Sequence, residues 1–164
     1  MFNVNKNIKN TKNDGFTLIE LVIVILIIGI ISIVSYPRFA NTVQSMNLRV
    51  ATDKLADDLR YINNFAVANH QNTWFSINIS NNSYSYGVYN TPPNSDPVVL
   101  TDPATNQPAI INLDDYNGVT ITSETLGGGF DYNWWGIPSA SGQIILNGTR
   151  IIVIEAETGY VYEL

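Results

Sequence analysis

The longest apolar run in the chain extends from Phe16 to Val34 and carries a single charged side chain, Glu20, near its start. Its 19 residues would span about 28 Å as an α-helix, close to the ~30 Å thickness of a bilayer's hydrocarbon core. The pattern therefore predicts a hydrophobic helix over residues 16–36. A carboxylate is unfavourable inside a bilayer, so a simple membrane anchor does not explain Glu20.

Beyond Pro37 the apolar positions recur every three to five residues, which is the spacing of an amphipathic helix. We predict that the helix continues over residues 37–70, kinked or loosened at Pro37, and that its apolar stripe packs on a β domain. The stripe consists of Val43, Met46, Val50, Leu55, Leu59, Ile62 and Ala66. The charged residues between them are interpreted as a solvated face: Asp53, Lys54, Asp57, Asp58 and Arg60.

From Thr73 onward, apolar and polar positions alternate with the period of a β-strand. One hairpin is predicted in TWFSINI and SYSYGVY, and another in QIILNGTRIIVIE, with its turn at Asn147-Gly148. Further strands are predicted in AIINL, GVTIT and YVYEL. Residues 90–108 are rich in proline and are predicted to form a long surface loop. The predicted fold class is α+β, with residues 71–164 forming an antiparallel β domain.

The charge is distributed unevenly along the chain. Lys6, Lys9 and Lys12 precede Phe16, and the residues from Phe16 onward have five basic against 13 acidic side chains. Such an acidic body is not expected to bind nucleic acid by phosphate neutralisation. The chain has no cysteine and one histidine, so neither a zinc site nor a Cys/His nucleophile is expected. We predict no enzymatic activity, cofactor or metal.

The basic start followed by an apolar run allows three interpretations of the N-terminus. A secretory signal peptide has the basic start seen here, but no convincing small-x-small cleavage site follows the apolar run. A plain transmembrane anchor fits the length and leaves Glu20 unexplained. In the third interpretation, residues 1–15 are a leader, cleavage precedes the apolar run, and the run stays in the mature protein.

The residues of the third interpretation carry a family resemblance. The segment GFTLIEL after a short lysine-containing leader resembles the cleavage signal of type IV pilins and type II secretion pseudopilins. The resemblance implies cleavage between Gly15 and Phe16 by a prepilin peptidase, and N-methylation of the new Phe16 amine. Gly29 and Pro37 stand where such proteins often carry helix-softening residues. Asp14 departs from the Lys or Arg usual before this Gly, for which we expect slower processing at most.

The cleavage that the resemblance implies would give Glu20 a function. It creates an α-amino group at Phe16, one helical turn from Glu20. If apolar helices of neighbouring subunits form the core of a filament, the Phe16 amine of an adjacent subunit is a natural partner for the buried Glu20 carboxylate. Such a pair would favour one axial register, because another stagger leaves both charges unpaired in an apolar core.

The second half of the chain resembles a narrower group. LADDLRYINNFAVANHQNTWFSI and the ending GQIILNGTRIIVIEAETGYVYEL are similar to H-type (GspH) minor pseudopilins and FimT-like minor pilins. The segment YPRF is also similar to subunits of mannose-sensitive haemagglutinin-type pili. The expected function is that of a minor structural subunit. The alternatives are a major pilin forming the shaft of an adhesive pilus and, more weakly, a DNA-uptake minor pilin.

The resemblance also implies partners and a location. The subunit is expected in the bacterial inner membrane before assembly, in contact with lipid, with its C-terminal domain in the periplasm. An assembly platform in that membrane, working with a cytoplasmic ATPase, would then transfer it into a periplasmic or extracellular helical filament. The filament's other pilin or pseudopilin subunits would be its lasting partners.

Three other sets of residues are candidate sites. His70 is interpreted as a helix-terminal residue, where a cation favours the helix dipole. Asp114, Asp115 and Asp131 could supply oxygens for calcium, although their spacing favours solvated loops. Trp134 and Trp135 could form an exposed patch for a sugar or a protein partner. Since neighbouring side chains of a strand point to opposite faces, we expect at least one of these Trp residues in the core.

Overall fold

The computed structural model describes residues 15–90 and 96–164, with the side chains of residues 34–39 left out. The chain divides into two compact units, Met1–Ala40 and Asn41–Leu164. Helix α1 (Leu18–Asn69) begins in the first unit and ends in the second. Its length of 52 residues agrees with the prediction of one helix from the apolar run to about Asn69.

Within the described residues, nine strands follow the helix. They are β1 (Thr73–Asn78), β2 (Ser83–Tyr89), β3 (Pro97–Val99), β4 (Ile110–Asn112), β5 (Ile121–Glu124), β6 (Gly129–Tyr132), β7 (Gly142–Leu146), β8 (Arg150–Ile154) and β9 (Val161–Glu163). All of their pairings are antiparallel. The first sheet has the order β3-β2-β1-β6, and β4 also pairs with β2. The second sheet has the order β5-β7-β8-β9.

Both predicted hairpins are confirmed. β1 pairs with β2 in an unbroken register from Thr73–Val88 to Asn78–Ser83. β7 pairs with β8 around Asn147 and Gly148, whose φ angles of 49° and 66° are those of a tight turn that Asn-Gly favours. The predicted α+β class with an antiparallel β domain is thereby confirmed.

The predicted long loop over residues 90–108 is wrong in part. β3 lies within it and pairs with the end of β2, and Thr101 and Pro108 form an isolated bridge. Residues 91–95 lie outside the described residues. The strand β6 was not predicted, because it is short and begins at Gly129 in a glycine run. The three glycines Gly127–Gly129 all have positive φ, a backbone conformation that glycine adopts without steric cost.

The apolar stripe of α1 differs from the predicted one at its N-terminal end. Val43, Met46 and Val50 are exposed by 40 to 61%. The buried positions begin at Ala51, and they agree with the predicted stripe only from Leu55 onward. They are Ala51, Leu55, Ala56, Leu59, Ile62 and Ala66, and they share one core with both sheets. The prediction missed the two alanines because it followed the larger side chains.

The predicted solvated face of α1 is also wrong at two residues. Lys54 Nζ lies 2.5 Å from Asp58 Oδ1 and 3.0 Å from Asp102 Oδ1. Asp58 is buried and also accepts hydrogen bonds from the hydroxyl groups of Tyr84 (2.8 Å) and Tyr86 (3.3 Å). We call Lys54, Asp58, Tyr84, Tyr86 and Asp102 the buried polar cluster. Each charge can be buried because it is paired and hydrogen-bonded.

Burial and pairing shift the pKa values in the buried polar cluster. Loss of solvent raises the pKa of the Asp58 carboxyl, although Lys54 and Tyr84 oppose this shift. For Lys54, burial alone would lower the pKa, but the bonds to Asp58 and Asp102 outweigh it, so the pKa is raised. Burial next to Asp58 raises the pKa values of Tyr84 and Tyr86, which stay neutral donors.

Candidate functional site

The start of α1 contains a reciprocal set of hydrogen bonds between Thr17 and Glu20. The backbone N–H of Thr17 donates to Glu20 Oε2 over 2.9 Å, and the Thr17 hydroxyl donates to the same oxygen over 2.8 Å. The backbone N–H of Glu20 in turn donates to Thr17 Oγ1 over 3.3 Å. This is a capping box, in which a Thr at the N-cap and a Glu three residues later satisfy each other's free backbone N–H groups.

The capping box gives Glu20 a partner within its own chain. Its carboxylate is exposed and lies in the first helical turn, where a negative charge also favours the helix dipole. The sequence reasoning considered Glu20 and overlooked Thr17. The signal was present, because Thr17-Leu18-Ile19-Glu20 has the Thr-x-x-Glu spacing of a capping box ahead of an apolar run.

The apolar side chains after the capping box have almost no cover from the described part of the chain. From Phe16 to Ile33 every described apolar residue is exposed except Val22, which is half-buried. We call residues 16–33 the apolar helix segment. Within the described residues, no helix has the combination of length and hydropathy needed to cross a membrane.

The other N-terminal candidate residues are placed as follows. Gly15 and Phe16 are exposed and precede α1, so the junction between them lies just outside the helix. Residues 1–14 of the predicted leader lie outside the described residues. The helix continues through Gly29 and Pro37, so neither residue ends it. Their softening of the helix stays a prediction.

The tandem tryptophans are both exposed, so the expectation that at least one lies in the core is wrong. Trp134 and Trp135 are 42% and 66% exposed, because they lie in a turn that follows β6 and not on a strand. Their ring centroids are 4.2 Å apart. The ring of His70, one residue beyond the end of α1 as predicted, lies 5.9 Å from that of Trp134.

The three candidate calcium ligands are separated by the fold. Asp114 and Asp115 lie in a short 3-10 helix, Leu113–Tyr116, whereas Asp131 lies on β6. Asp114 accepts a hydrogen bond from the Asn82 amide, and Asp131 accepts one from the Tyr89 hydroxyl. Among the described residues, no group of three or more acidic, His or Cys side chains is arranged to hold a metal ion.

The N-terminus and the fold have separate relatives among known proteins. The family model for the prokaryotic N-terminal methylation motif matches residues 10–36. Two solved structures of the minor pseudopilin EpsH, from the type II secretion system of Vibrio cholerae, resemble this fold with a TM-score of 0.57 and 12% identity. In both, the match covers 72% of this chain and 95% of EpsH. No curated protein matches the chain in sequence.

These matches confirm the predicted resemblance to type IV pilins and pseudopilins, the H type included. The methylation motif covers the segment that contains Gly15, Phe16 and Glu20. The likeness to EpsH, at its low identity, concerns the fold of the helix and β domain. One finding is thus a sequence motif at the N-terminus, and the other is a likeness of fold.

Proposed function

We propose that the chain is a structural subunit of a type IV pilus or type II secretion-type filament, and that it is a minor subunit. The observation that carries the proposal is the exposed carboxylate of Glu20 at the head of an exposed apolar helix, inside a matched N-terminal methylation motif. A helix of this kind needs cover from outside the chain. A fold like that of a minor pseudopilin supports the choice of a minor subunit.

In this proposal the apolar helix segment is buried first by lipid and later by other subunits. Before assembly it is anchored in lipid of the bacterial inner membrane, with the unit Asn41–Leu164 on the periplasmic side. During assembly a platform in that membrane transfers the subunit into the filament, where apolar helices of neighbouring subunits replace the lipid. The exposed side chains from Leu18 to Ile33 would be covered in both environments.

Glu20 changes partner during this transfer. In the single chain it accepts hydrogen bonds from Thr17. In the filament its carboxylate pairs with the methylated amine of Phe16 from a neighbouring subunit, because a buried carboxylate needs a cation and good hydrogen-bond geometry. The pair sets the axial register of neighbouring subunits. Prepilin peptidase creates the amine by cleaving between Gly15 and Phe16.

The processing step is tested by intact-mass measurement of the protein extracted from membranes. We expect the mass of residues 16–164 plus one methyl group, located on Phe16 by fragmentation. The exposed position of the Gly15–Phe16 junction ahead of the helix supports this site. A mature chain that begins after Ser35 or Ala40 would overturn the proposal, because the apolar helix segment would then have been removed.

The choice between a minor and a major subunit is tested by copy number. Filaments are sheared from cells, purified and analysed by quantitative mass spectrometry against isotope-labelled peptides of each subunit. A minor subunit is expected at a small fraction of the copies of the shaft subunit. Equal abundance with the shaft would favour the alternative, a major pilin of an adhesive pilus.

A further inference from the structure

The five-stranded sheet carries a tryptophan, Trp74, on the face that points away from the core. Along β1 the residues Thr73, Phe75 and Ile77 are buried, so Trp74 and Ser76 belong to the opposite face. The strand registers place Val99, Gly87, Trp74 and Asp131 side by side across β3, β2, β1 and β6. The indole of Trp74 therefore lies in the middle of this sheet face, between Gly87 and Asp131.

The indole of Trp74 is held in a fixed position on this face. Its N–H donates to the carbonyl of Val88 over 3.2 Å. Gly87 lies directly beneath the ring, since a Cβ added there would come within 2.6 Å of it. Glycine in a strand often marks such a close approach. Because its N–H is already bonded, the indole has its ring face left for contact with a ligand.

Polar groups stand next to the indole. The Tyr89 hydroxyl donates to Asp131 Oδ1 over 2.9 Å, and burial together with this bond raises the pKa of Tyr89 to about 12. The second oxygen of Asp131, Oδ2, makes no hydrogen bond with any residue in the described part of the chain. Ser76 is exposed on the same strand as Trp74. A ligand on the ring would find a carboxylate oxygen and a hydroxyl at its edge.

These residues line a groove of about 670 Å³, together with the glycine run Gly127–Gly129. The volume lies within the range of small-molecule sites, ~300–1,000 Å³. The outer edge of β6 is occupied, because Ser139 N–H donates to the carbonyl of Asp131 and Asn133 N–H donates to that of Ile137. A peptide is therefore not expected to add to β6 as a strand, and a ligand must lie on the face.

We propose that this groove binds a neutral carbohydrate. The apolar face of a pyranose ring would stack on the indole of Trp74, and its hydroxyl groups would donate to Asp131 Oδ2 and bond to Ser76 Oγ. An aromatic surface with a few fixed polar groups at its edge is the usual composition of a specific small-molecule site. The lining contains no basic side chain, and Asp131 would repel an anionic sugar.

The test measures binding of defined trisaccharides to the full-length protein by isothermal titration calorimetry. The protein is kept in a detergent without a sugar headgroup. The neutral probes are chitotriose, cellotriose and maltotriose, and trigalacturonic acid is the anionic probe. We expect saturable binding of at least one neutral probe with a Kd of roughly 0.1–1 mM, and none of the anionic one. No saturable binding of any neutral probe up to about 10 mM would overturn the proposal.

Matched variants locate the site. Ser76→Arg fills the groove from an exposed strand position and leaves Trp74 in place. Ser123→Arg makes the same change at an exposed position of β5, in the other sheet. We expect the first to weaken binding by about tenfold or more and the second by less than about twofold. Equal binding by wild type and Ser76→Arg would overturn the proposal.

A further variant separates the groove from the exposed tryptophan pair. Trp134→Ala combined with Trp135→Ala removes the other exposed aromatic surface, and we expect it to bind the trisaccharide as the wild type does. Loss of binding in this double variant, with binding kept in Ser76→Arg, would assign the sugar to the tryptophan pair and overturn the proposal for the groove. Cooperative thermal unfolding of each variant shows that the comparison is made on folded protein.

Discussion

The two halves of α1 both carry apolar side chains, and these side chains have opposite surroundings. In the apolar helix segment, Leu26 is 60% exposed and Ile30 is 63% exposed. In the second half, Leu55, Leu59 and Ile62 are exposed by 1% or less, because they face the two sheets of the same chain. Among the described residues, one half of the helix thus has apolar side chains that the chain itself buries, and the other half has apolar side chains that are exposed.

The polar groups of the two halves differ in the same way. Glu20 is exposed, and its hydrogen bonds are to Thr17, three residues away. Asp58 is buried, and besides Lys54 on the same helix its partners are Tyr84 and Tyr86 from the sheet, 26 and 28 residues away. Partners on distant segments fix the fold of a single chain, whereas the hydrogen bonds of Glu20 to Thr17 stabilise only the start of its own helix. The predictions below test this difference, from the largest expected effect to the smallest.

Replacing Glu20 should have the largest effect, and the effect should be on assembly. We expect the Glu20→Leu variant to enter the membrane and to be cleaved normally. The amount of the variant in filaments should fall about a hundredfold, because the amine of the neighbouring Phe16 would lose its buried partner. The measurement is the ratio of the subunit in sheared filaments to that in membranes.

Glu20→Gln is the matched control for this change. Gln can replace Glu in a capping box, so this variant keeps the local hydrogen bonds and removes only the charge. If Gln behaves as Leu does, the charge is what filament entry requires. If Gln behaves as the wild type does, pairing with the amine is not the function of Glu20.

Removing Asp58 should destabilise the unit Asn41–Leu164 strongly. We expect Asp58→Ala to lower its free energy of unfolding by about 3–5 kcal/mol, because Lys54 and two tyrosine hydroxyls lose a buried partner. Asp57→Ala is the control: its carboxylate is exposed and pairs with Arg60 over 3.0 Å, and such surface pairs contribute about 0–1 kcal/mol. Urea unfolding monitored by tryptophan fluorescence gives both values. Similar values for the two variants would contradict the burial of Asp58.

Truncating one leucine in each half of the helix compares the two surroundings directly. We expect Leu59→Ala to lower the free energy of unfolding by about 2–5 kcal/mol, because it leaves a cavity in the core. Leu26→Ala should leave the unfolding midpoint of the β domain unchanged, because Leu26 is exposed in the apolar helix segment. A large shift for Leu26→Ala would show that the apolar helix segment takes part in the fold of the β domain.

Raising the pH should weaken the β domain through the buried polar cluster. The folded-state pKa values of Lys54, Tyr84 and Tyr86 are raised, so the unfolded chain releases these protons first. Their stabilisation is complete below about pH 10 and is lost as the pH rises further, by up to about 1.4 kcal/mol per pH unit and group. Urea midpoints at pH 8 and pH 11 measure the loss. The Tyr86→Phe variant should lose less stability than the wild type between pH 8 and pH 11. An equal loss in the variant and the wild type would contradict the role of this hydroxyl.

Removing the first 42 residues should have the smallest effect on the β domain. The core begins after Met46, with Leu48 and Ala51, so a chain starting at Val43 retains every buried contact of the unit. We expect it to be soluble and to have a free energy of unfolding within about 0.5 kcal/mol of the wild-type value, measured by urea unfolding. Aggregation, or a non-cooperative transition, would mean that residues before Val43 support the fold.

Much of this fold could be predicted because its strongest signals are local. The alternation of Phe75 and Ile77, and the Asn147-Gly148 turn, depend only on neighbouring residues and on the geometry of strands and tight turns. The cap at Thr17 could have been found in the same way, since its spacing to Glu20 is part of the sequence. The position of the candidate site at the start of the helix could likewise be predicted, because the motif GFTLIEL is short and local.

What could not be predicted depends on contacts between distant segments. Lys54 and Asp58 have the spacing of an exposed ion pair, and only Asp102 and the sheet tyrosines make them buried. Val50 and Ala51 are neighbours on the helix, and the sheet covers the smaller of the two. The groove at Trp74 also depends on the registers of four strands, which the alternation of one strand does not determine.

The buried polar cluster has a consequence for how the β domain folds. Lys54 and Asp58 come from the helix, Tyr84 and Tyr86 from β2, and Asp102 from a segment 48 residues beyond Lys54. In a partly docked state a buried charge or hydroxyl would lack one of its partners, and such a state is unfavourable. The cluster therefore disfavours intermediates in which only two of the three segments have come together. We expect helix, sheet and the Asp102 segment to dock in one cooperative transition, at a rate limited by these contacts between distant parts of the chain.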